Sequence, residues 1–198
     1  MIPASPALAD CARLEALLAR PHPRADGAPL PLCRVVDKTD SDVARFLGRF
    51  LSLLGVQSEE TFLASYATTI PDPAGKAVAL VMIPEAWSAP SRFDVLIHEA
   101  THAVQIATDG AIPFALSYLA SQYDRAIYEA TAYGTALELA AERGQSVPDV
   151  GALAEHLRGY ACEDGAISAC RVALGSWARS VAAGVRSEIV AAVAAEWR

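Results

Sequence analysis

The sequence is poor in aromatic residues, at 7%, and in charged ones, at 20%. It also lacks any apolar run of the roughly 18 to 20 residues that a membrane-spanning helix requires. Few aromatics, abundant alanine and long stretches without glycine or proline argue against a β-sandwich and for helices. A net charge of -7 leaves no surplus of Lys and Arg. Nucleic acid and anionic membrane surfaces are therefore not expected partners. The opening segment, MIPASPALADCARLEALLARPHPR, has no basic stretch followed by an apolar core. No secretion signal is seen in it, and the expectation is a soluble protein whose compartment stays open, with the cytoplasm favoured. Cysteine is scarce too: Cys11, Cys33, Cys162 and Cys170, none in a CxxC pair, which argues against a structural zinc knuckle. They read either as Cys11–Cys33 and Cys162–Cys170 bridges in an oxidising compartment or as small buried thiols in a reducing one.

What is present suffices for one domain, residues 1–198, since 53% of the chain is hydrophobic. Helical spacing marks residues 7–20, and the following PHPRADGAPLPL is too rich in proline for regular helix. Asp40 or Ser41 caps a helix to Leu54, with a stripe of Val43, Phe46, Phe50 and Leu54, stopped by Gly55. Thr61 to Ile70 and Lys76 to Ile83 flank the turn-forming PDPAG and read as a β-hairpin. Pro84 and Pro90 bracket a loop. Ser91 to Thr108 reads as a helix with a Ser91/Asp94 capping box, closed by Gly110. Further helices are expected from Pro113 to Arg143 with a break near Ser121 to Asp124, then over Asp149 to Arg158 and Ile167 to Trp197. The sum is an α+β fold, mainly helical, with five or six helices and a small sheet.

One motif carries chemistry. His98 and His102 in HEATH are four residues apart, so one helical turn sets both imidazoles on the same face. Two nitrogens so placed can fill adjacent corners of a tetrahedral zinc site. Glu99 is offset around the helix, where it can reach a metal-activated water without being a ligand. By composition alone an HExxH string arises in about one such chain in a hundred or fewer. The helix is apolar on nearly every side, through Val95, Leu96, Ile97, Ala100, Ala103, Val104, Ile106 and Ala107. Burying two imidazoles and a carboxylate among them is costly unless a cation satisfies them.

HEATHAVQ followed by a glutamate on a later helix resembles the zinc metallopeptidases called gluzincins, in particular small bacterial single-domain members. The resemblance covers about Lys76 to Leu139, within a motif-bearing core of about 61–143. It implies an active-site helix and a glutamate helix packed beside a small hairpin or sheet. It also implies a zinc ion, a catalytic glutamate, a carboxylate third ligand and a strand that aligns a peptide or protein substrate. The metzincin pattern fails, because it needs glycine at 105 and histidine at 108, where this chain has Gln105 and Thr108. His22 and His156, in ordinary polar surroundings, read as solvated or capping residues.

Glu129 is the expected third ligand, on a later helix as in gluzincins. Small residues on its face, Ala126, Ala132 and Ala136, would allow close approach of the two helices. Asp109, Asp124 and Glu138 are the alternatives. Tyr133, one turn after Glu129, is the expected oxyanion or ligand partner, where thermolysin-like gluzincins often have an aspartate; Tyr118, Tyr123 and Tyr128 are also near. Lys76 to Ile83 is either the substrate-aligning edge strand or a buried one. Metal-assisted peptide hydrolysis, with Glu99 as general base, is the expected function. Two rivals stand beside it. One is a non-enzymatic binding or assembly protein that keeps zinc for stability. The other is a ferritin-like di-iron protein, which would need a second ExxH that the chain lacks.

Overall fold

The local rules that favour helix here are obeyed through most of the chain. The computed structural model describes residues 2–24, 27–53, 58–84 and 86–198. Nine α-helices occur among them: α1 Leu8–Leu18, α2 Asp42–Leu53, α3 Glu59–Ala64, α4 Ala89–Asp109, α5 Ala111–Ala120, α6 Gln122–Glu142, α7 Val150–Glu155, α8 Asp164–Ala182 and α9 Glu188–Glu196. Strands are β1 Pro21–Arg24, β2 Gly27–Pro31, β3 Cys33–Asp37, β4 Thr68–Pro71 and β5 Ala79–Ile83. The fold is α+β and mainly helical, as expected. It separates into two compact units, Pro6–Ala103 and Met1–Ser5 with Val104–Arg198, and α4 belongs to both.

In the first unit, the proline-rich stretch is not a plain connection: β1 and β2 form a small antiparallel pair. A second sheet has the order β3-β5-β4, with β3 parallel to β5 and β4 antiparallel to it. The expected hairpin exists, but only between Thr68 and Ile83. Thr61 to Ala64 is helical, because Ser58 accepts a hydrogen bond from the Thr61 amide and Glu59 and Glu60 occupy the first turn of α3. The turn after β4 is held by buried Asp72, whose carboxylate accepts from the amides of Ala74, Lys76 and Ala77 and from Arg34 at 2.8 Å.

The α2 stripe is also different from expectation. Ser41 does cap this helix, accepting from the Ala44 amide. Yet Phe46 and Phe50 are exposed, while Ala44, Val43, Leu47 and Leu51 pack with Phe62, Leu80 and Met82. Gly48 explains the preference: a Cβ there would lie 3.1 Å from the side chains of Glu59 and Phe62, so α2 meets α3 on its small residues. Leu54 and Gly55 lie outside the described residues.

The helix bearing HEATH starts at Ala89, two residues before the expected cap, and takes Pro90 into its first turn, where no amide partner is needed. Gly110, with φ 86°, then separates α4 from α5. In the second unit, α6 and α8 pack closely enough that a Cβ at Gly134 would stand 2.6 Å from the Trp177 ring. Their core includes Ala130, Leu137, Ile167, Cys170 and Leu174, joined by Leu157 from the 3-10 turn after α7. The expected single helix from Ile167 to Trp197 is two, broken at Gly184 (φ 83°) and restarted by a Ser187 cap. All four cysteines are buried free thiols.

Candidate metal centre

Four residues of spacing on α4 does what helix geometry requires. The rings of His98 and His102 stand edge to face with centroids 5.0 Å apart. His102 and Glu99 are 6% and 7% exposed, and His98 is half-buried. Glu129 on α6 is 1% exposed. Ligand atoms of His98, His102 and Glu129 all lie within 4.8 Å of one another, so the three can hold a metal ion. Two imidazoles and one carboxylate are donor types that zinc and other divalent transition metals accept. Among the described residues it is the one such group.

The alternative third ligands are otherwise engaged or exposed. Asp109 accepts from the Tyr128 hydroxyl at 2.8 Å, and Asp124 is exposed in the first turn of α6. Glu138 is buried but serves the second unit's packing, accepting from Trp177 Nε1 and from the Ser187 amide and hydroxyl, each at 2.8 Å. The small residues expected on the Glu129 face divide. Ala126 joins the α6–α8 core, and Ala132 is fully buried outside that cluster. His22 is half-buried on β1, and His156 is exposed.

Glu99 is not one of the three clustered donors. Its carboxylate accepts from Thr69 Oγ1 at 2.5 Å, a contact from β4 that nothing in the sequence spacing signalled. Behind it lies a second unanticipated group. Lys38, just after β3, is fully buried, and its ammonium donates to the carbonyls of Phe62, Ser65 and Tyr66, at 2.8, 3.2 and 2.8 Å. Those are the last carbonyls of α3 and of the turn leading to β4, where Tyr66 takes a left-handed φ of 53°. The lysine thus pins the segment that delivers Thr69.

Burial lowers the Lys38 pKa from 10.5 to about 8, and the negative charge of Glu99 opposes that shift. Between those two values the unfolded chain binds the proton and the folded chain does not, so stability rises with pH there. Relative to Lys38→Met, wild-type protein should gain about 2–3 kcal/mol between pH 8 and 10.5 in urea titrations. Identical slopes for the two proteins would contradict this. The comparison with the variant is needed because the buried thiols act oppositely; burial also raises Cys33 and takes Cys170 to about 11.

Two tyrosines named in the sequence lie in different surroundings. Tyr133 packs against the α6–α8 core with its ring 5.8 Å from that of His156. Tyr118, on α5, donates its hydroxyl to Glu129 Oε1 at 2.6 Å. Nor is β5 the sheet edge: it is buried throughout and paired on both sides, so β3 and β4 are the edge strands. Among the described residues no helix is long and apolar enough to cross a membrane. Comparison of the chain with protein-family models, curated proteins and solved structures finds no match.

Proposed function

We propose that this chain is a gluzincin-like zinc metallopeptidase, in which His98, His102 and Glu129 hold the ion and Glu99 is the general base. The observation that carries the reading is the division of labour between two buried acids. Glu129 clusters with the imidazoles, whereas Glu99, adjacent in sequence to one of them, is left out of the donor set and oriented by Thr69. A site that only stabilises the fold has no use for the second acid.

When bound, such an ion supplies Lewis acidity, polarising a carbonyl and making water a stronger acid. Glu99 then removes a proton from the attacking water and returns it to the leaving amine. Its low exposure keeps bulk water from competing for that proton. Thr69 fixes the carboxylate's orientation by donating to one oxygen, leaving the other to work. The β4 edge that bears Thr69 is the natural place for an extended peptide, whose main chain would add as a further strand past Glu99.

Removing metal tests this directly. Purified protein should cleave a mixed peptide library, lose all cleavage on treatment with a chelator, and regain it with stoichiometric zinc. Cleavage that persists after chelation would overturn the metallopeptidase reading. Zinc uptake with no cleavage would leave the zinc-stabilised binding protein in its place.

A further inference from the structure

Resting on the metal reading above, we infer that Tyr118 is the residue that positions Glu129 as a ligand. The hydroxyl-to-carboxylate distance of 2.6 Å is that of a charge-assisted bond, and the acceptor is a 1% exposed carboxylate. A carboxylate with one oxygen held by a rigid donor keeps its rotamer while the other oxygen binds, and needs no reordering when the ion arrives.

The tyrosine is itself held. Its ring stacks on Phe114 and Tyr128, with centroids 5.7 and 6.5 Å away. Arg125 lies over the ring at 5.6 Å and ties the end of α5 to its surroundings, donating to the carbonyls of Tyr118, Leu119 and Tyr160. Tyr128, which precedes Glu129 on α6, is fixed at its own two ends. Its hydroxyl donates to Asp109, and its carbonyl accepts from Gln105 Nε2 at 3.0 Å. Tyr118 therefore approaches Glu129 from a braced aromatic group rather than from a free side chain. It acts on the ion only through Glu129.

Tyr118→Phe keeps the ring and deletes the hydroxyl. Zinc affinity measured by competition with a chromophoric chelator should fall about 10- to 100-fold. The absorption bands of the cobalt-loaded protein should shift, while the metal-free variant keeps the circular dichroism of metal-free wild type and melts somewhat lower, because the buried carboxylate loses a hydrogen bond. Tyr123→Phe, which deletes the hydroxyl of an exposed tyrosine on α6 outside that aromatic group, should keep wild-type affinity. Equal affinity in Tyr118→Phe and wild type would overturn the inference, as would an equal loss in both variants. Wild-type protein that takes up no zinc would overturn the metal reading, and this inference with it.

Discussion

Glu99→Gln should leave zinc bound at full stoichiometry while lowering the rate of peptide cleavage about 10²- to 10⁴-fold, the usual contribution of a positioned general base. Glutamine preserves the shape of the side chain and can still accept from Thr69 through its amide oxygen, so the strand and helix stay in register. What it cannot do is take a proton. Because Glu99 is only 7% exposed, solvent offers no ready substitute. The loss should appear in the turnover number, with little change in the Michaelis constant, since the base acts in the transition state rather than in binding. Near-wild-type turnover in the variant would remove Glu99 from the mechanism. Loss of zinc would make it a ligand instead.

His102→Ala should remove the metal and the activity together. The imidazole is almost fully buried and adjoins both other donors, so no neighbouring group replaces it. Deleting a ligand must cost more than the 10- to 100-fold that accompanies loss of a ligand's supporting partner, so zinc affinity should fall well over 100-fold. The loss has a thermodynamic echo. At zinc concentrations a hundred times the dissociation constant, wild-type protein gains about 2.7 kcal/mol of stability from binding, and the variant should gain almost none. A zinc-dependent rise in melting temperature in His102→Ala equal to that of wild type would exclude His102 as a ligand.

The donor cluster was more legible in the sequence than the contacts around it. HEATH could be read because its meaning lies in local geometry: four residues of helix bring two imidazoles together whatever surrounds them. Glu129 could be anticipated from the resemblance, although Ala126, one of the small residues invoked for it, packs toward α8 rather than clearing its path. Thr69 and Lys38 could not be found in this way. Each reaches its partner through pairing of segments far apart in the chain, and neither carries a spacing that marks it.

The same contrast runs through the fold. CRVVD has the composition of a strand, but β3 acquires its meaning from β5, more than forty residues later. The buried face of α2 was misread because its phenylalanines are conspicuous and the small residues that admit α3 are not. Other misreadings were avoidable. Ser58 followed by two glutamates is a helix start, and Gly184 before Ser187 is a stop and a cap.

X-ray absorption at the zinc edge of the loaded protein tests the central claim most directly. The account predicts one zinc per chain with nitrogen and oxygen neighbours at about 2.0–2.2 Å, including two imidazoles, and no sulfur. A shell with sulfur at about 2.3 Å, or protein that retains no zinc, would contradict it.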